Sequence, residues 1–183
     1  MLQPRVRLEA MTSSLAGVPS FQLSIIIPSF NEELRLPGSL ELIAAYVNAS
    51  NRSTEVLVVD DGSKDRTAEV AASFSDRIAN LRVLKNGENR GKGYSVRHGM
   101  TEAGGENVLF TDADLSAPIE EADKLLLALQ QYDIAIGSRA LNRDLRRNCS
   151  IADLDLDRRR RLCALNRDLG RNRPIANFDI DLA

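Results

Sequence analysis

One histidine and two cysteines in 183 residues leave little for the chemistries that depend on them. Cys149 and Cys163 lack the spacing of a metal-binding pair, so no zinc site is expected; two free thiols in a reducing cytoplasm are the simpler reading. No apolar run approaches the ~18 residues that a membrane-spanning helix needs. Residues 1–20 hold two arginines but no apolar stretch of signal-peptide length, so they read as a partly ordered lead-in, and secretion is not expected. A formal net charge of -2 argues against bulk nucleic-acid binding. The chain also lacks a Gly-x-Gly-x-x-Gly turn after its first apolar run, where Ser29-Phe30-Asn31-Glu32-Glu33 stands instead, and this disfavours dinucleotide-dependent hydride transfer.

What is present suits one globular domain: 43% apolar and 27% charged residues supply a core and a solvated surface. Leu23 to Ile27 is a β-branched run closed by Pro28 and predicts a first strand. Pro37 opens a helical pattern with Leu40, Ile43 and Val47 on one face. Glu55 to Val59 is apolar without alternation, as expected of a strand covered on both faces. Gly62 permits a tight turn after it, and Asp65 is a candidate N-cap for a helix patterned by Val70, Ala71 and Phe74. Leu81 to Leu84 predicts a third strand, with a helix following through Met100. Val108 to Phe110 predicts a fourth, then Pro118 and Ile119 start a helix that buries Leu125, Leu126 and Leu129, and Ile134 to Ile136 is a fifth strand. Five strands alternating with helices over about 140 residues predict an α/β fold with a doubly wound, mainly parallel sheet, whose ligands sit at the carboxyl ends of the strands.

The acids gather at those ends. Asp112 and Asp114 follow the fourth strand one residue apart, and side chains at i and i+2 of an extended segment point the same way. The pair can therefore share one hard divalent cation, Mg²⁺ or Mn²⁺, and leave coordination positions free for a substrate's phosphates. Asp60 and Asp61 close the second strand, while Asp65 reads as structural. Between the third strand and its helix, Arg90, Gly91 and Lys92 combine cations with glycines, a composition suited to phosphate contact. This is not a P-loop, since Gly87-x-x-x-Gly91-Lys92-Gly93 is one residue short and has Gly where Ser or Thr should stand. His98 reads as a packed or half-exposed residue of that helix.

Four stretches in order, Ser24-Ile-Ile-Ile-Pro-Ser-Phe-Asn-Glu-Glu33, Val58-Val-Asp-Asp-Gly-Ser-Lys-Asp65, Asn89-Arg-Gly-Lys-Gly93 and Thr111-Asp-Ala-Asp-Leu115, resemble the nucleotide-sugar domain of inverting family 2 glycosyltransferases. The resemblance covers about Leu23 to Arg139. Within that family, Asn89 to Gly93 and Ile134-Ala-Ile-Gly-Ser-Arg-Ala140 are most similar to the enzymes that move glucose from UDP-glucose to dolichyl phosphate. It implies a Rossmann-like GT-A fold over residues 21–140, a UDP-sugar donor, a polyprenyl-phosphate acceptor at the inner face of a membrane, and a cytoplasmic or peripheral protein. It also implies residue roles. Pro28, Asn31 and Glu32 stand near the nucleoside, Asp60 or Asp61 at the base and ribose, and Arg90 and Lys92 near the diphosphate, with Gly62 and Gly91 also in the donor site. Asp112, Ala113 and Asp114 form the metal-binding turn, with the two carboxylates as catalytic groups. Relatives that use GDP-mannose share much of this pattern, so that donor stays open.

The pattern stops near Arg139. An acceptor-side motif resembling Asp-Thr-Gln-Cys-Gly-Phe-Lys is not found, and from Arg139 to the end the chain holds 11 Arg and neither Lys nor Glu. The hexapeptide Ala-Leu-Asn-Arg-Asp-Leu occurs there twice, at Ala140 to Leu145 and Ala164 to Leu169. This composition predicts that residues 141–183 form a poorly ordered tail outside the packed domain, with Arg158 to Arg161 as a basic patch and the native acceptor half lost by truncation or a frame change. Two functional classes remain: an active sugar transferase, and a nucleotide-sugar-binding remnant with little turnover.

Overall fold

The computed structural model describes residues 20–138 together with the backbone of two later strands, 161–165 and 175–179. Residues 1–19 of the expected lead-in, Cys149 and Arg158 to Arg160 lie outside the described residues. The elements run β1 (Phe21–Ser29), α1 (Leu36–Ala49), β2 (Thr54–Asp60), α2 (Thr67–Ala72), β3 (Leu81–Lys85), α3 (Lys92–Glu102), β4 (Gly105–Thr111), a 3₁₀ turn (Ile119–Glu121), α4 (Ala122–Ala128), β5 (Ile134–Ser138), β6 (Arg161–Leu165) and β7 (Ile175–Asp179). All five expected strands form. Every pair is parallel, in the order β3-β2-β1-β4-β6-β5-β7. Two segments of the Arg-rich tail thus enter the sheet, where composition had placed the tail outside the packed domain. Leu162-Cys-Ala-Leu165 is a short apolar run and Ile175-Ala-Asn-Phe178 is apolar but for Asn177, and the charge bias around them hides that at the level of composition.

Alternation along β1 assigns the two faces. Ile25 and Ile27 join a core with Leu36, Leu40 and Ile43 of α1, Ala71 of α2 and Leu125 of α4. Ile26 faces the other way, with Val96 and Met100 of α3. Each fully buried Ile or Leu contributes about 1.5–3 kcal/mol, and strands covered on both faces need the unbroken apolar runs seen in β1 and β2. Gly99 is required for α3 to lie this close, since a Cβ there would sit 2.5 Å from Ile26 Cγ2. Among the described residues, no helix is long and apolar enough to cross a membrane.

Chain order leaves β1 toward β2 and β3, then returns on its opposite side with β4. Such a reversal opens a crevice at the carboxyl ends of the two strands that flank it. Pro28 lies within β1 and not just past it. The β1–β4 ladder ends at Ile26 and Phe110, while β1–β2 pairing continues to Ser29 and Asp60, so the missing amide falls where β1 and β4 have parted.

Candidate functional site

The crevice holds a cleft of about 370 Å³ lined by the end of β1, the loop before α3 and the turn after β4. Asp61 organises its middle. Its carboxylate, 3% exposed, accepts hydrogen bonds from Asn86 Nδ2 (2.6 Å), the Arg90 amide (3.0 Å) and the Gly91 amide (2.7 Å). Burial acts to raise its pKa, but these hydrogen bonds outweigh that and hold the carboxyl below the usual carboxylate range. Gly62 follows at φ 75°, and a Cβ on it would stand 2.5 Å from the Glu88 carbonyl carbon. The loop after β3 therefore rests on the turn after β2, and only glycine allows that approach.

A second brace fixes the loop after β1. The Asn31 amide donates to Ser63 Oγ, Asn31 Oδ1 accepts from the Lys64 amide, and Asn31 is held at φ 55°. The Glu32 amide donates to Thr67 Oγ1 (2.7 Å) and the Glu33 amide to Asp65 Oδ2 (3.2 Å). Asp65 stands one residue before the position expected of an N-cap, yet accepts the Thr67 amide (3.0 Å). Burial would raise its pKa, but hydrogen bonds from the Thr67 hydroxyl and amide and the Glu33 amide lower it instead. Glu32 Oε1 pairs with Arg35, whereas the buried Oε2 has no hydrogen-bond partner among the described residues.

Across the cleft, β4 delivers Asp112-Ala113-Asp114. The Leu115 amide donates to the Asp112 carbonyl (3.1 Å) and Leu115 sits at φ 45°, a tight turn with a non-glycine residue in the left-handed region. Buried Ser39 of α1 donates to the Ala113 carbonyl (2.7 Å) and locks the turn from below. Lys92, first residue of α3, reaches Asp112 Oδ1 with its Nζ at 2.5 Å, while Asp114 is exposed. Among the described residues no three acidic, His or Cys side chains cluster as a metal cage. Two carboxylates on one turn fit a cation whose remaining ligands come from phosphates and water.

A family model described as Glycosyl transferase family 2 matches residues 24–176. The chain belongs to glycosyl transferase family 2. A dolichyl-phosphate beta-glucosyltransferase of Drosophila melanogaster is 45% identical over 141 residues, covering 69% of this chain and 43% of the relative. The one from Homo sapiens is 38% identical over 141 residues, with 69% and 44% covered. The chain thus spans less than half the length of these relatives. Among solved structures, S. aureus TarS in complex with UDP-GlcNAc is 25% identical with a TM-score of 0.51, covering 67% of this chain and 36% of that one. Mannosyl-3-phosphoglycerate synthase from Rubrobacter xylanophilus is 26% identical with a TM-score of 0.53, covering 65% and 41%.

Of the residues expected at the family 2 donor site, Pro28, Glu32, Asp61, Gly91, Lys92, Asp112, Ala113 and Asp114 line the cleft. Asn31, Asp60, Gly62 and Arg90 are not in its lining. Asp60 is buried and accepts the Ser63 amide (3.1 Å), and Arg90 places its guanidinium 4.9 Å from the centre of the Tyr94 ring and pairs with Glu88. Lining residues that sequence reasoning missed are Ser29, Phe30, Asn89 and Ser95. Ser29 and Phe30 were legible as neighbours of Pro28, and Ser95 as one helical turn beyond Gly91.

Proposed function

We propose that this chain is an inverting glycosyltransferase that moves a sugar, glucose in the favoured reading, from a UDP-sugar to a polyprenyl phosphate at a membrane surface, with residues 21–140 carrying the donor site. The observation that carries the reading is the opposition of Lys92 to the Asp112/Asp114 turn across the cleft at the sheet reversal. A diphosphate entering there would take Lys92 as its counter-charge and release Asp112 to share a divalent cation with Asp114. That cation, Mg²⁺ or Mn²⁺, would neutralise charge on the departing diphosphate.

The chain's own residues do the rest. Amides of Arg90 and Gly91 are spent on Asp61, so phosphate contact falls to the Lys92 ammonium and to the N–H groups of the first turn of α3, which a helix start leaves without intrahelical acceptors. Glu32 Oε2 offers an acceptor to a nucleoside N–H or O–H, which would relieve its buried, unpaired state. In the transfer, an acceptor phosphate oxygen bonds to the anomeric carbon from the face opposite the diphosphate, and the carbon–oxygen bond to UDP breaks. The attacking oxygen is already anionic, so a strong general base is less needed than for an alcohol.

Mixing the protein with UDP-glucose, Mg²⁺ or Mn²⁺ and a polyprenyl phosphate should yield glucosyl lipid. UDP binding without glucosyl lipid would favour the second reading, a donor-binding remnant. Product only with GDP-mannose would transfer the assignment to a mannosyl donor. Within the loop the two cations should separate. Arg90→Ala should change UDP affinity by less than about threefold, because an exposed pair such as Arg90–Glu88 is worth only ~0–1 kcal/mol and lies away from the lining. Lys92→Ala should weaken UDP by about tenfold, a charge-assisted contact of ~1.4 kcal/mol. Equal losses in calorimetry would show that both side chains reach the diphosphate.

A further inference from the structure

Behind the cleft, a chain of hydrogen bonds runs from the middle of α3 to the loop that the donor would meet. His98 Nδ1 lies 2.7 Å from Asn86 Oδ1. Asn86 Nδ2 donates to Asp61 Oδ1 (2.6 Å) and to Ser95 Oγ (2.8 Å), and the Asp61 carboxylate receives the amides of Arg90 and Gly91. The orientation of the Asn86 amide is forced. Turned over, its oxygen would face the carboxylate of Asp61, acceptor against acceptor, in a part-buried site. With Nδ2 committed to Asp61 and Ser95, only Oδ1 is left for the histidine, and an oxygen there can be met only by a protonated Nδ1.

We propose that His98 is a positioning residue for the diphosphate-side loop: as the Nδ1–H tautomer it holds Asn86 in the one orientation that lets Asp61 clamp the Arg90 and Gly91 amides, and so sets where α3 begins and where Lys92 stands. The histidine never touches the donor. Its effect travels through two side chains to the loop backbone. The consequence for donor binding rests on the nucleoside-diphosphate reading of the cleft, but the clamp itself does not.

Because His98 is the only histidine in the chain, its ring nitrogens can be read without assignment ambiguity. Nitrogen-15 NMR of the neutral imidazole should show Nδ1 protonated and Nε2 bare; the opposite tautomer would overturn the proposal. Three variants add a functional readout. Asn places its Nδ2 where the histidine Nδ1 stands, whereas Gln carries its amide one carbon farther and Leu has no donor. His98→Asn should therefore keep amide exchange at Arg90 and Gly91 within about twofold of the parent, while His98→Gln and His98→Leu should speed it roughly three- to tenfold. UDP affinity measured with Mn²⁺ should follow the same ranking. If all three variants exchange like the parent, or all three are equally fast, His98 acts through packing or not at all. If the parent fails to bind UDP while the exchange ranking holds, the donor reading fails and the clamp stands.

Discussion

Asp61→Asn is expected to destabilise the domain by about 2–4 kcal/mol and to weaken UDP binding at least tenfold, because a buried carboxylate that takes three hydrogen bonds would become an amide with one acceptor. Its new NH₂ would face either Asn86 Nδ2 and the Arg90 amide, in place of Oδ1, or the Gly91 amide, in place of Oδ2, donor against donor. Urea denaturation reads the first effect and calorimetry with UDP and Mn²⁺ the second. Parent-like stability together with parent-like affinity would show that the clamp is not what holds the loop. The pH dependence has a fixed direction. Folding lowers the pKa of Asp61 and of Asp65, so the stability they contribute is complete above the ordinary carboxylate value of about 3.9 and is lost as the pH falls through their lowered native values. The parent should therefore lose stability below about pH 4, and Asp61→Asn should show a shallower acid limb.

Removing divalent cation should abolish tight UDP binding. Without it, Asp112, Asp114 and a diphosphate would bring like charges together around a cleft where Lys92 is the cation in the lining. With Mn²⁺ present, Asp114→Asn should cost more than ~1.4 kcal/mol, about tenfold in affinity. Asp112→Asn should cost less, because losing that carboxylate also frees Lys92 from its 2.5 Å contact. Calorimetry giving one UDP affinity with and without EDTA would retire the cation site.

The strands were legible because burial on both sides demands apolar runs, and Ile25 to Ile27 or Val56 to Val59 can be little else. Asp112 and Asp114 were singled out from a local spacing of two at a strand's end, but β4 stops at Thr111 and Asp114 sits on the turn that follows, so the two side chains share the cleft lining without lying on one extended segment. The role of Asp61 was not legible. Its partners Asn86, Arg90 and Gly91 stand 25, 29 and 30 residues away, and only the parallel pairing of β2 with β3 brings them to it. The Arg90 side chain was harder to place for the converse reason. A cation beside glycines suggests phosphate, but Tyr94 lies one helical turn on and offers its ring and hydroxyl first. Strands β6 and β7 were hidden by arginine and aspartate flanking short, largely apolar runs, so composition over a long window outweighed periodicity over a short one.

The position of β6 between β4 and β5 sets a timetable for a growing chain. On the ribosome, β1 to β4 can pair as they emerge, so the cleft's backbone can be assembled before the second half of the sheet exists. β5 emerges next and finds no neighbour. Both of its partners, β6 and β7, are made later, and until they arrive the outer side of β4, beside Asp112, offers unpaired amides and carbonyls to any passing strand. A nascent chain whose β5 has emerged while Arg161–Leu165 is still inside the exit tunnel would be held in that open state, and chaperone demand should peak there, falling once Arg161–Leu165 has cleared the tunnel.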